Sequence, residues 1–428
     1  MSSSMTIALL LLVVCFIVRM PIGIGLLVTS FTYLLLTGMD PSIIAEIFCS
    51  KMFNNFILLA VPLFILAANI MNSSKVTEKI FNFAQVLVGR WKGGLGHVNV
   101  VASLIFSGMT GSAVADASGL GIMEIEEMKK QGYDDSFSAA ITASSAVIGP
   151  IFPPSIPLVI YGVIAGASIG NLFMAGMVPG FMLAAALCAY VAYIANKRGY
   201  PRGMRFHGKE LFAMIFSAIP ALLTPVILLM GIYTGATTAT EAGAIAAFYA
   251  LLISVFGYRT LSREEFVKVI KNTVRSTGQV GIMLGAAYAF SYIISVENLP
   301  KLAGAFIEST VTSRISFLIL CNIVLLILGC LVDSAVLQLV LLPILCPIAA
   351  SYGIDMVHFG IVFTLNTMIG LCTPPFGMLL FIVTGISKAP MAKVIKDTMP
   401  MVGVMVLVLI IVTFIPESIM WVPHLFGY

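Results

Sequence analysis

Apolar residues run along this chain in stretches separated by short polar clusters, many of them about the 20 residues that a helix needs to cross a bilayer core. Stretches near 52–72, 173–195, 211–233, 237–257, 277–297 and 399–420 each predict a spanning helix. Two more, 138–165 and 359–386, carry Pro-Pro pairs at 153–154 and 374–375. Proline removes an N–H donor and clashes with the preceding turn, so both predict broken helices. Residues 98–123 and 315–350 are apolar but interrupted by Gly, Ser, Thr, Asp or Pro, and predict re-entrant hairpins that enter and leave on one side. The opening run, 5–37, is too long for one span and is cut at Arg19 and Pro21, which predicts two short helices.

Composition makes the bilayer the solvent. Hydrophobic residues are 60% of the 428 and charged ones 10%, against about 25% charged in a soluble domain. The fold class is an all-α polytopic membrane protein. The first apolar run has no basic stretch before it and no A-x-A-like site after it, so it is expected to stay in place. Seven scattered cysteines form no C-x-x-C pair and no zinc-spaced cluster with His. The net charge of +4 is no nucleic-acid signature, because the basic residues sit in short loops.

Those loops orient the chain. Alternating the spans, with both hairpins returning to their own side, places 20 Lys/Arg inside, in loops such as 197–209 and 258–275, and leaves Lys51, Lys301 and Arg314 outside. This is the positive-inside bias. Counting either hairpin as a single span would put later basic loops outside.

Sliding the chain on itself by 221 positions pairs Gly108 with Gly329, Gly132 with Gly353, and Asp134 with Asp355. The same offset pairs the two Pro-Pro breaks and Pro179 with Pro400. Two repeats, 1–208 and 209–428, follow. The topology sets the first hairpin on the cytoplasmic side and the second on the outer side, so the repeats are inverted. Inverted repeats with broken helices are the pattern of secondary transporters, whose site lies between the repeats near the midplane. The breaks free backbone carbonyls that a desolvated Na+ could accept, and the restarted half-helices point N-terminal dipoles at an anion. Each break also has a polar approach, Ser144 and Ser145 in the first and Asn366 and Thr367 in the second.

The residues "RMPIG" (19–23), "GSAVAD" (111–116), "GPIFPPSIPLVIYG" (149–162), "TATEAGA" (238–244) and "TPPFG" (373–377) together resemble the large membrane subunit of tripartite ATP-independent periplasmic (TRAP) transporters. The resemblance covers nearly the whole chain. Ala239 stands where that family often has Pro, a difference expected to act on local helix geometry. The resemblance implies an elevator-type mechanism coupled to Na+, in the bacterial inner membrane. It also implies a small membrane (Q) subunit as partner and a periplasmic substrate-binding (P) protein delivering a carboxylate, capture being left to another polypeptide. By the family's motifs, Ser107, Thr110, Ser112, Gly149, Phe152 and Pro154 are expected to hold one Na+, and Gly329, Asp333, Gly370, Thr373 and Pro375 a second. Asp116, Ser144, Ser145, Ser155, Asn366 and Thr367 are the substrate candidates, Asp116 having hairpin anchoring as its other role. Glu241 reads as a structural hydrogen-bonding residue. Similarity favours the sialic acid branch, with C4-dicarboxylates as the alternative.

Other classes fare worse. A redox subunit would need haem-ligating His at membrane depth, whereas the four His fall in loops or near span ends. No H-E-x-x-H or G-x-S-x-G supports an intramembrane hydrolase, so no enzyme is expected. A passive anion channel stays open on composition and would show flux independent of Na+. No Lys or Arg falls in either hairpin tip or break, so an anionic substrate must be balanced by bound Na+ and helix N-termini.

Overall fold

The computed structural model describes residues 2–18, 20–54, 56–73, 76–203, 208–311 and 313–427. Arg19, Lys75 and Arg205, counted above with the inner loops, lie outside them. The described residues are helical throughout, with one isolated bridge, between Lys92 and Arg202.

The opening run forms two helices, Ser3–Ile17 and Ile22–Thr37. The second starts just after Pro21, which has no N–H to give, and ends where Gly38 turns left-handed at φ 71°. Both Pro-Pro segments break their helices as expected. Asp135–Ala146 stops and Ile156–Ala165 restarts, while Met356–Gly370 stops and Met378–Ser387 restarts. Both hairpins form as helix–turn–helix units: Gly94–Thr110 turns into Ala113–Ser118 and Leu120–Lys130, and Arg314–Gly329 turns into Ser334–Ser351.

The 221-residue offset persists in the backbone. Pro153-Pro154 and Pro374-Pro375 are both cis. Gly132 and Gly353 both take positive φ, 84° and 67°, and Asp134 and Asp355 both sit at the N-caps of the broken helices. Pro179 and Pro400 both lie inside long helices.

Helices pack into two bodies. In the first, Ile22–Thr37 and Ala60–Ser73 lie along Arg263–Val296, and Ala239–Leu252 packs on Ala60–Ser73 and on Lys209–Tyr233. The second body contains both hairpins, both broken helices, Ile169–Arg198 and Met391–Phe414. Its halves interlock, since Asp135–Ala146 packs on Met391–Phe414 and Ile156–Ala165 packs on Ser334–Ser351. Two amphipathic helices, Val76–Val88 and Leu299–Thr310, join the bodies. They run too polar and too short to read as spans.

Two helices outrun their predicted spans. Ile169–Arg198 has 30 residues and Arg263–Val296 has 34, which at about 1.5 Å per residue is well beyond a bilayer core of about 30 Å. Residues 263–275, expected as loop, are therefore the polar first turns of a helix. A capping box starts it, Ser262 accepting from Glu265 N–H at 3.2 Å while the Glu265 carboxylate accepts from Ser262 N–H at 3.0 Å. Glu241 does the same work with Thr238, whose backbone N–H donates to the Glu241 carboxylate at 2.8 Å.

Candidate substrate and ion site

The first hairpin turns because Gly111 adopts φ 58°, a left-handed backbone that a side chain would strain. The chain then extends at Ser112, whose hydroxyl accepts from Ala115 N–H at 3.4 Å and starts the next short helix. This tip rests on the first break. A Cβ on Gly111 would stand 2.4 Å from the Pro154 carbonyl oxygen, and one on Gly149 would stand 3.5 Å from the Ser112 carbonyl carbon. Ser107 hydrogen-bonds Leu104 O at 2.5 Å, whereas the Thr110 hydroxyl is buried without a partner. Phe152 turns its ring away, onto Gly180 and edge-to-face with Phe181 at 5.3 Å, so only its backbone can face the tip.

The second tip repeats the plan with different chemistry. Asp333 Oδ1 accepts from Ala335 N–H at 2.9 Å, so the carboxylate caps Ser334–Ser351. Gly377 N–H donates to Cys330 O at 3.3 Å, tying the second break to the tip, while Gly329 and Gly370 meet backbone to backbone. Thr373 donates to Ile369 O at 2.9 Å, and Pro375 lies between it and Gly377 in the same break.

The two tips meet at one cavity of about 250 Å³. Ser112 and Asp333, partners under the 221 offset, both line it. Pro150 and Ile156 come from the first break, Met368 and Leu371 from the second broken helix, and Gln279 from the long helix Arg263–Val296 of the other body. Two helices restart at its wall, at Ile156 and at Ser334, presenting the positive ends of their dipoles. Among the described residues, no Lys or Arg lines it.

The proposed substrate residues lie deeper. Ser144 donates to Ala140 O at 2.9 Å. Ser145 donates to Asn99 Oδ1 at 2.7 Å and accepts from Ser103 at 3.1 Å. Ser155 caps Ile156–Ala165 by accepting from Leu158 N–H at 3.1 Å, and it also donates to Pro150 O. Asn366 donates to Asn322 Oδ1 at 2.7 Å, and Thr367 pairs with Ser334 at 2.8 Å. Asp116 is buried inside the first hairpin. None of the six lines the cavity. Ser145 and Asn366, again partners under the offset, each tie a broken helix to the inner arm of its hairpin.

Sequence reasoning missed Gln279, Asn99 and Asn322. Amides inside apolar spans were the available signal, since an amide at that depth needs a partner.

The donor set at the tips consists of hydroxyl, carbonyl and carboxylate oxygens, which suits a hard cation such as Na+. The unpartnered Thr110 hydroxyl at the first tip and the carboxylate of Asp333 at the second fit that role.

Comparison with known proteins shows the family. The family described as "Tripartite ATP-independent periplasmic transporter, DctM component" matches residues 9–418. The chain is 42% identical over 410 residues to the sialic acid TRAP transporter large permease protein SiaM of Vibrio cholerae, covering 96% of each. It is 39% identical to the sialic acid TRAP transporter permease protein SiaT of Haemophilus influenzae, with 99% of this chain on 69% of that one. The C4-dicarboxylate TRAP transporter large permease protein DctM of Rhodobacter capsulatus is 33% identical, covering 97% of this chain and 98% of that one. Among solved structures, the Alcanivorax borkumensis YdaH transporter shares the fold, with a TM-score of 0.64 at 11% identity over 86% of each chain.

Proposed function

The chain belongs to the DctM-component family of tripartite ATP-independent periplasmic transporters, as its large membrane permease, and from that we propose that it imports sialic acid together with Na+. The observation that carries the reading is the cavity itself. Two hairpin tips, two helix breaks and two helix N-termini converge on a space with no basic side chain among the described residues. A carboxylate placed there meets dipoles but no counter-ion, so Na+ at the tips supplies the missing positive charge. Binding of anion and cation is then mutually dependent, which is the basis of symport.

Movement follows from the division of the helices. Both hairpins and both breaks belong to one body, while Arg263–Val296 of the other contributes one wall through Gln279 and Met283. Sliding the hairpin body along that wall would carry the cavity across the membrane, which is an elevator. The repeats would run in opposite senses, with the first hairpin facing the cytoplasm and the second the periplasm.

A periplasmic binding protein would deliver the substrate and a small membrane subunit would accompany this permease in the inner membrane. The relative in Haemophilus influenzae supports the second point in part, as this chain spans 69% of it. C4-dicarboxylates are the second reading, favoured by the Rhodobacter capsulatus relative.

The test is reconstitution. Proteoliposomes holding the permease and its small subunit should take up labelled sialic acid only with the cognate binding protein and an inward Na+ gradient. Uptake that needs neither would indicate a channel, and uptake of succinate in preference to sialic acid would reassign the substrate.

A further inference from the structure

A second cavity, of about 700 Å³, opens beside the basic segment 258–275, away from the hairpin tips. Lys79 of Val76–Val88, Ser217 of Lys209–Tyr233, Arg259, Thr260 and Glu265 all line it. Its floor is pinned by Tyr258. That hydroxyl donates to Ser217 O at 2.8 Å and accepts from Ala221 N–H at 3.2 Å, so it stands between a donor and an acceptor four residues apart in one helix. Tyr249 donates to the carbonyl of Pro220 in the same turn at 3.0 Å. The helix is thus opened where it faces the cavity, and two tyrosines hold it open.

The wall is cationic and its cations are free. Arg259 takes φ 53°, a left-handed backbone that is uncommon for a residue with a side chain, and Lys79 is half-buried. Neither enters an ion pair among the described residues. Glu265, the one acid on the wall among the described residues, is already engaged as the acceptor for Ser262 N–H. The Thr260 hydroxyl is buried with no hydrogen-bond partner among the described residues, and an unsatisfied buried donor calls for one. Two unpaired cations and a spare hydroxyl around one cavity match the oxygens of a phosphate group.

We propose that this cavity binds the headgroup of an anionic phospholipid, its phosphate held by Lys79 and Arg259 with the Thr260 hydroxyl as a further donor. Basic pockets between helices at the membrane surface recognise lipid phosphate in this way. The rim favours a lipid over a water-borne anion. Phe216 and Phe256, next in sequence to the lining residues Ser217 and Gly257, are both exposed, and Phe216 stacks with exposed Phe212 at 6.4 Å. Such rings suit acyl chains attached to the headgroup and offer nothing to free phosphate. Lys79 sits on Val76–Val88, which packs on Gly94–Thr110 of the first hairpin as well as on Lys209–Tyr233. A headgroup shared by Lys79 and Arg259 therefore ties this connecting helix to the first body.

Thermal unfolding of the purified permease in nanodiscs tests this without reference to transport, since a ligand that binds only the folded state raises Tm. Adding phosphatidylglycerol to phosphatidylcholine discs should raise the Tm of the wild type, and Lys79→Gln/Arg259→Asn should lose that rise. Asparagine is chosen at 259 because it tolerates the left-handed backbone. A control, Lys197→Gln/Lys271→Gln, removes two exposed cations outside the cavity and should keep the rise. Inorganic phosphate added to phosphatidylcholine discs should not reproduce it. Equal rises in the wild type and the cavity variant would overturn the proposal, as would an equal loss in the control, which would mark a general charge effect. A full rise with inorganic phosphate alone would also overturn it, because the ligand would then be a soluble anion. If the cavity double variant does not fold, native mass spectrometry of Lys79→Gln should count fewer retained phosphatidylglycerol molecules than the wild type, and an unchanged count would overturn the proposal.

Discussion

Gly329 at the end of the second hairpin's first arm and Gly370 at the end of the second broken helix touch backbone to backbone. A Cβ added to Gly370 would stand 2.5 Å from the Gly329 carbonyl carbon, whereas one on Gly329 would meet its nearest atoms at 3.3 Å. The two glycines therefore differ in tolerance although they share one contact. Gly370→Ala should cost about 1–3 kcal/mol through overpacking and should raise the Na+ concentration needed for uptake, with Gly329→Ala milder on both counts. Unfolding midpoints and Na+ titrations of uptake check the order, and equal effects from the two changes would contradict the geometry.

Asp333 is a helix cap and a cavity residue at once. Asparagine is also a good cap, so Asp333→Asn should leave Tm nearly unchanged while weakening Na+ attraction through loss of the negative charge. We expect a several-fold rise in the Na+ concentration for half-maximal uptake, and a smaller one for Ser112→Ala. An unchanged Na+ curve for Asp333→Asn at normal protein levels would leave Asp333 as a cap and nothing more.

A charged cluster closes the other end of the hairpin body. Arg198 bonds both Asp397 and Asp134, the latter at 3.1 Å, while Ser136 donates to Asp397 at 2.7 Å. Tyr200 donates to Asp134 at 2.7 Å, and burial pushes its hydroxyl above its ordinary pKa, so it stays a donor through any physiological range. Arg198→Ala should cost about 1–3 kcal/mol by stranding Asp397. Asp397→Asn, which can still accept from Arg198 and Ser136, should cost less. Thermal unfolding of the two variants gives the comparison directly.

Sidedness can be read by labelling. In a background lacking the seven native cysteines, single cysteines at the exposed positions Arg202 and Arg263 should be protected from an impermeant thiol reagent in intact cells. One at the exposed Ser351 should react. Labelling at Arg263 with protection at Ser351 would refute repeats of opposite sense.

Much of the architecture was legible because prolines and glycines punctuate apolar runs. Pro21 separated the first two helices, and the Pro-Pro pairs located both breaks. Val76–Val88 and Leu299–Thr310 escaped notice because their apolar residues cover one face and never accumulate to spanning length. The tips were legible from Ser112 and Asp333, which do reach the cavity. Ser144, Ser145, Asn366 and Thr367 were singled out for the same polarity, yet each is occupied by a bond across the helix packing. Polarity in an apolar run marks a residue that needs a partner, and only packing decides whether that partner is a ligand or another helix. Glu124 illustrates the converse, being invisible in a run of surface charges until its helix is folded against Asp135–Ala146.

Ser2 N–H donates to the Glu297 carboxylate at 3.1 Å, and Tyr33 donates to the same carboxylate at 2.9 Å. These bonds join positions 295 and 264 apart in the chain. At about 5–20 residues per second of synthesis, the amino-terminal helices emerge many seconds before their partner Arg263–Val296 exists. The hairpin and broken helix between 94 and 198, by contrast, find each other within one contiguous stretch. Biogenesis is thus staggered: the body that holds the hairpins begins to assemble early, and the other body is completed only when a late helix reaches back to the first residues made. Membrane insertion must hold the opening helices apart from wrong neighbours throughout that interval, so this protein's yield in a cell is set by a waiting time as well as by its final stability.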